Sequence, residues 1–267
     1  MKFSVVIYFL RGVNFNMKKI LYSLCFVVLC IPYLVFADTD KYKVVSETTK
    51  YYKTVSRYNT LEQYSLANSN LSSVQSETFE VSKEEYDLAS DSGCSIMGAT
   101  TIETTYRYVT STILTNGSYY RYKNLVVWKS MPSLRSYDII GIGFLPTVKL
   151  HGNPVFEQEY CSGSSCYTST SSYMQTFSTG VGATFKLASG SLSSLRIRFY
   201  FDVEKNTTAT IINQRAYSDY LHAESAILLP TAMRYQVNGS GGIIPDSSAS
   251  SYYERSTVAG ATWSGSW

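Results

Sequence analysis

The segment 100–129, TTIETTYRYVTSTILTNGSYYRYKNLVVWK, constrains the fold more than any other part of the chain. Two arms alternate around Asn116-Gly117, the dipeptide that best tolerates the positive φ angles of a type I′ turn. On the first arm Ile102, Thr104, Tyr106, Tyr108, Thr110, Thr112 and Leu114 share one face, and Glu103, Thr105, Arg107, Val109, Ser111 and Ile113 share the other. On the second, Tyr120, Tyr122, Asn124, Val126 and Trp128 alternate with Tyr119, Arg121, Lys123, Leu125 and Val127. The pattern predicts a long antiparallel hairpin.

Further strand patterns recur at short intervals. They cover 42–45, 51–58 and 78–81 before the hairpin, and 136–144, 147–150, 155–160, 167–177, 183–187, 195–204, 208–212, 216–224, 234–237 and 257–263 after it. The breaks are Gly152-Asn153-Pro154, the serine-rich SGSLSS, Lys205-Asn206 and Asn238-Gly239. Many short strands at this spacing predict an all-β fold, an antiparallel β-sandwich of jelly-roll-like type. The crossover helices of a parallel sheet are missing, and no period of 20 to 50 residues repeats. A short helix is expected at 83–89, where Ser82 and Glu85 stand three apart as in a capping box, and a loop or a loosely attached turn of helix at 59–75. Residues 38–77 read as N-terminal strands and a loop ahead of a sandwich at 78–267, with 38–267 as one domain the alternative.

At the N-terminus Met17, Lys18 and Lys19 precede an apolar run at 20–34, and Val35-Phe36-Ala37 leads into DTDKYK. This is the layout of an export signal helix cleaved between Ala37 and Asp38. The strongly apolar part, 20–31, is too short for the roughly 20 residues that span a bilayer. Residues 1–16 are expected to be an over-extended start, because codons for Arg11-Gly12-Val13 can carry a purine-rich ribosome-binding string ahead of Met17; a long basic leader is the alternative. Leucine precedes both Cys25 and Cys30, which fails a lipid-attachment site. The Leu-Pro-Thr triplets at 145–147 and 229–231 lack the remainder of a wall-sorting signal. The expectation is a released, extracellular protein.

Cleavage after Ala37 removes Lys2, Arg11, Lys18 and Lys19 and no carboxylate, taking the formal charge from +3 to −1. The basic balance that nucleic acid requires goes with it. A chain of this size can bury on the order of 70% of its unfolded surface without staples. Cys161 and Cys166 bracket the turn SGSS and can meet disulfide geometry across a hairpin, stabilising by about 2 kcal/mol at best. Cys94 has no base beside it in sequence and reads as an inert buried thiol.

The 24 tyrosines suit half-buried strand positions, and an aromatic ring can also serve a wet boundary. Tyr119, Tyr120, Tyr122 and Trp128 are the candidate binding face for a cell-wall glycan or another extracellular protein, with core packing as the alternative. Chemistry is sparse. Tyr220, His222 and Glu224 share one strand face, which joins a histidine to a carboxylate; Asp202, Glu204 and Asp219 are carboxylates that a sheet could bring together. These residues support a secreted glycan hydrolase as one alternative function. The other histidine is His151. No G-x-S-x-G elbow occurs, no cluster has metal-ligand spacing, Asp246 stands alone, and Gly141 and Gly143 lack the third glycine of a phosphate cradle. No cofactor and no metal are expected. The nearly uncharged 167–187 stretch, with Thr179, Val181, Ala183, Phe185 and Leu187 on one face, supports a membrane-active or pore-forming β protein as the other alternative.

The run SYYRYKNLVVWKSMPSLRSYDIIGIGF, with FYFDVEKNTTATI and AYSDYLHAES after it, resembles a group of secreted hypothetical proteins from Gram-positive bacteria. The resemblance covers much of residues 78–267, and SYDIIG is its most distinctive part. It implies an exported β-rich fold and carries over no activity and no catalytic residue. The Cys161 and Cys166 pair is not expected throughout that group. The reading that joins these observations is a secreted, non-enzymatic β-sandwich that binds a cell-envelope glycan or a protein.

Overall fold

The computed structural model describes residues 41–58, 75–89, 93–97, 100–240, 242–254 and 257–267. In chain order its elements are β1 (Lys43–Tyr58), β2 (Gln75–Val81), α1 (Lys83–Leu88), β3 (Gly93–Met97), β4 (Thr100–Thr115), β5 (Tyr120–Trp128), β6 (Tyr137–Phe144), β7 (Val148–Ser162), β8 (Ser165–Ser169), β9 (Tyr173–Phe177), β10 (Gly180–Lys186), β11 (Ser194–Lys205), β12 (Ile212–Leu221), α2 (Leu229–Ala232), β13 (Tyr235–Val237), β14 (Ile243–Pro245) and β15 (Ala259–Ser266). The signal segment, the Ala37-Asp38 cleavage site and most of the expected 59–75 loop lie outside the described residues.

Period-two burial produces an antiparallel β-sandwich. The large sheet runs β2-β1-β4-β5-β11-β7-β8, with β3 beside β5 on the same edge of β4; the small sheet runs β15-β12-β6-β10-β9. Every pairing is antiparallel. Val109, Ile113, Val126, Ile197, Phe199 and Phe201 from the large sheet meet Ile140, Ile142, Phe144, Val181, Ala183 and Phe185 from the small one. Polar groups in this layer are matched across it: Asn124 donates to the carbonyls of Gly141 (3.1 Å) and Asp219 (2.9 Å), and Gln158 donates to Lys186 O and accepts from Ala188 N.

Several boundaries depart from the sequence reading for local reasons. The two patterns at 42–45 and 51–58 are one sixteen-residue strand. Its polar middle pairs along β4, where serine and threonine fit the pleat as well as apolar residues do. Since β1 lies between β2 and β4, residues 42–58 are integral to the large sheet. Gly152-Asn153-Pro154 is a bulge within β7, placed where the register with β11 shifts between Tyr200 and Asp202, and not a turn between strands. The expected strand at 167–177 divides into β8 in the large sheet and β9 in the small one. Residues 208–211 precede β12 and are not a strand. The hairpin has the predicted arms but not the predicted turn. Gly117 alone in it has positive φ, at +91°, and the Asn116 side chain accepts from the amides of Ser118 (3.0 Å) and Tyr119 (2.8 Å), making an Asx-stabilised four-residue loop. Helix α1 begins as predicted, with Ser82 Oγ accepting from Glu85 N at 3.1 Å.

The segment after β12 folds back over the outer face of the small sheet. Ala232, Tyr235, Val237, Ile243 and Tyr253 pack there on Ile139 and Leu221 as a second apolar cluster. Strands β6 and β10 of the small sheet are therefore buried on both faces, which accounts for the continuous apolar run IIGIGF.

Candidate functional site

The structure separates the four aromatic residues singled out for binding. Tyr120, Tyr122 and Trp128 point into the inter-sheet layer, at 5%, 1% and 2% exposure, because that face of β5 is the buried one. They build the core and present no open ring, which corrects their reading as a binding face. Tyr119 is half-buried at the hairpin loop, stacked on His151 at 4.0 Å and 17°. Cys161 and Cys166 face each other across the β7–β8 hairpin and form the expected disulfide, with Cα atoms 4.0 Å apart. Thr179 apart, the face proposed for lipid contact fills the sandwich: Val181, Ala183, Phe185 and Leu187 are buried, so 167–187 is not a detached hairpin.

Two places among the described residues combine polar chemistry with accessibility. The first is the outer face of the large sheet, where cross-strand neighbours line up in rows. One row runs Tyr51, Tyr108, Val127, Arg196, Glu159; the next runs Thr49, Thr110, Leu125, Arg198, Glu157. The Tyr108 ring lies 5.9 Å from those of Tyr51 and Tyr86, the latter supplied by α1. Arg198 pairs with Glu159 (3.1 Å) and Glu157 (3.4 Å). Further along, Arg121 pairs with Asp202 at 2.8 Å and lies over the rings of Tyr42 (4.1 Å) and Tyr200 (4.9 Å). Burial and the Asp202 carboxylate push the Tyr42 hydroxyl up to about 12. Asp202, a candidate hydrolase carboxylate, is thus consumed by Arg121 and Tyr42 on this face. Arg196 is half-buried in the first row without a hydrogen bond or ion pair among the described residues.

The second place is a small pocket at one end of the sandwich, lined by Thr54, Ser56 and Tyr58 of β1, Ser76, Glu103 and Thr105, and the His222–Glu224 segment with Glu254. The sequence pattern places His222 and Glu224 on one face of a strand at 216–224; β12 ends at Leu221, and both line this pocket from the segment beyond it, with Ala223 between them. Behind them is a buried network. His222 Nδ1 lies 3.0 Å from Asp138, which also accepts from the Tyr220 hydroxyl and from Ala223 N (3.0 Å). Glu254 accepts from the Arg107 guanidinium and from Thr78 (3.0 Å), and Glu103 from Tyr58 (2.9 Å) and Ser133 N (3.0 Å). Asp219 lies elsewhere, fixing the amides of Ile243 (2.6 Å) and Thr257 (3.0 Å). Sequence reasoning missed Arg107, Asp138 and Glu254, which lie far along the chain from their partners.

Glu224 differs from these paired carboxylates. One of its oxygens is buried without a hydrogen-bond partner among the described residues, and burial first, then the Glu254 charge, raises its pKa to about 7. At His222 burial pulls the pKa down, yet the Asp138 charge and hydrogen bond outweigh it, so the imidazole titrates above its ordinary value. Both groups slope stability the same way. The Glu224 carboxyl keeps its proton in the fold at pH values where the unfolded chain has released it, so stability falls as pH climbs from about 4.5 to about 7. The His222 contribution is complete below its unfolded value of about 6.5 and is lost as pH rises through the higher folded value. After allowance for partial solvent exposure, the Glu224 part is about 1–2 kcal/mol. Thermal melting should therefore be highest near pH 5 and decline toward pH 8, and Glu224→Gln should flatten that decline. A wild-type profile that rises over this interval would contradict the assignment.

Among the described residues, no group of three or more histidine, cysteine or carboxylate side chains could hold a metal ion. None of the described helices is long and apolar enough to cross a membrane. No family model matches this chain. No curated protein matches it either. Among solved structures it is similar to the full-length major pilin SpaD from Corynebacterium diphtheriae, at 8% sequence identity and a TM-score of 0.30, over 79% of this chain and 59% of the pilin. The chain thus spans less than two thirds of that protein's length, and a likeness this weak carries no functional inference.

Proposed function

We propose that this protein is a secreted, non-enzymatic β-sandwich module that binds a polyhydroxylated glycan of the cell envelope through the outer face of its large sheet. The observation that carries the reading is the row Tyr51, Tyr108, Val127, Arg196, Glu159, which crosses five strands and brings half-buried tyrosines into register with a guanidinium and a carboxylate. Sugar rings are recognised by such combinations of apolar ring surface and fixed hydrogen-bonding groups. The face is preorganised by its own ion pairs, so little ordering cost remains for a ligand. Its cations and carboxylates alternate, which favours a neutral polymer over a strongly anionic one. On this reading the pocket at His222 and Glu224 serves the fold, its other carboxylates being engaged in hydrogen bonds and Glu224 about half protonated at neutral pH, and the export signal at 17–37 delivers the protein to its ligand.

The test is binding of the exported protein to a panel of cell-wall polysaccharides and peptidoglycan fragments. Arg196→Ala should weaken retention about tenfold, the loss expected for one hydrogen bond from a charged donor. Retention of extracellular proteins in place of every glycan would overturn the ligand class, and release of new reducing ends from a bound glycan would overturn the non-enzymatic assignment.

A further inference from the structure

The two flanks of the sandwich are built differently. On one, the small sheet's edge strand β15 is closed against the large sheet: Ser46 Oγ donates to the Thr262 carbonyl at 2.8 Å and the Tyr52 hydroxyl to the Val258 carbonyl at 3.1 Å. The neighbouring edge strand β2 carries Glu77 and Glu80, the latter paired with Lys50 at 2.9 Å. The opposite flank consists of β8 and β9, joined by residues 170–172, and each pairs with a single strand among the described residues. From 160 to 185 the sequence contains no Asp, Glu, Lys or Arg. Three of the nine exposed large apolar side chains among the described residues fall there, Tyr167 at 53%, Tyr173 at 46% and Met174 at 37%. Edge strands are ordinarily protected by charge, proline or a bulge, and β9, YMQTF, has none of these.

We propose that β9 is a self-association edge, at which two copies of the chain pair β9 with β9 antiparallel about a two-fold axis through Gln175 and join their small sheets. A two-fold pairing sets the strand against itself, so its free backbone donors and acceptors meet their own complement. The side chains agree with that register. Tyr173, Gln175 and Phe177 share a face, since they oppose Thr184, Gly182 and Gly180 of β10; Met174 and Thr176 share the other. Tyr173 then meets Phe177 of the second copy, an aromatic cross-strand pair, and Met174 meets Thr176. No like charges approach, because the flank has no charge. A second copy is the occupant this neutrality favours: a charged partner strand would find nothing here to neutralise it. The contact is short, which places the dimer in the weak class with dissociation in the micromolar range.

Sedimentation velocity of the exported protein tests this directly. A reversible dimer is expected, with a dissociation constant of about 1–100 μM. Thr176→Lys, at an exposed position, should weaken it at least about tenfold while leaving circular dichroism unchanged, by placing cations on both sides of the axis. Adding Met174→Glu sets opposite charges across the axis in this register and should restore dimerisation. A wild-type protein that stays monomeric up to about 100 μM overturns the proposal without reference to any variant. So does a dimer that Thr176→Lys leaves intact, or one that the double variant fails to restore.

Discussion

Arg107→Met should cost about 3–5 kcal/mol of stability and lower the melting temperature by roughly 10 °C. Arg107 is fully buried, and its guanidinium donates to Thr54 at 2.9 Å and to Glu254, whose side chain is 1% exposed. It also lies over the rings of Trp128 (4.9 Å), Tyr220 (5.6 Å) and Tyr52 (6.0 Å), which replace water on its faces with aromatic surface. Substitution by methionine keeps most of the volume and removes the charge, so the cost arises at Glu254, left buried without its cation and with hydroxyl donors alone. The double variant Arg107→Met with Glu254→Leu removes both charges. It should recover most of the loss, because paired burial of two ions is seldom better than apolar packing of the same volume. Chemical denaturation of the two single variants and the double closes the cycle. A cost below about 1 kcal/mol for Arg107→Met would mean that solvent reaches the pair and that the end of the sandwich is open. A further readout follows from Glu254 raising the Glu224 pKa: Glu254→Gln should move the Glu224 titration toward the ordinary carboxylate range.

Secondary structure was legible wherever one strand face is wet, and much less so where burial is two-sided. The β4–β5 arms could be read from alternation alone, yet which face turned inward could not. Glu103, Thr105, Arg107 and Ser111 look like a solvent face and are buried, while Tyr106 and Tyr108 lie on the outer side. The inversion is possible because Arg107 and Glu103 find counter-groups in Glu254, Tyr58 and Ser133, and Ser111 donates to the Ala216 carbonyl across the layer. Those partners come from remote parts of the chain, so no local pattern announces them. The same limit applies to the pocket. Strand period placed His222 with Glu224, whereas Asp138 lies 84 residues from His222. Short strands such as β3 and β14 escaped because a few residues carry no measurable period. The disulfide was legible because its geometry is local, set by a hairpin whose two strands oppose Cys161 to Cys166.

Gly180→Ala should destabilise the protein by about 1–3 kcal/mol, at the upper end of that range, although the residue is part of no polar network. Strand β10 passes directly beneath the β13–β14 ribbon, and a Cβ at position 180 would sit 2.5 Å from Val237 Cγ1, 2.8 Å from Val237 Cβ and 3.1 Å from the Ile142 carbonyl. None of these atoms yields easily. Valine is branched at Cβ and held in one rotamer, and the carbonyl belongs to the neighbouring strand of the same sheet. Gly182→Ala meets a different neighbour: the added carbon would lie 2.6 Å from Cε2 and 2.8 Å from the hydroxyl of Tyr235, the ring end of a buried side chain, two torsions away from its backbone. The cost at 182 should accordingly be smaller than at 180, even though the closest approaches are nearly equal. Val237→Ala should recover part of the Gly180→Ala loss in the double variant, since it deletes the 2.5 Å contact and leaves the Cβ contact in place. Thermal or denaturant unfolding of the four proteins decides the matter. Equal costs at 180 and 182 would show that the ribbon moves as a unit. Unequal costs in the predicted order show that it is seated rigidly on the sheet, so that the glycines of GVG, without chemistry of their own, hold the second core in place.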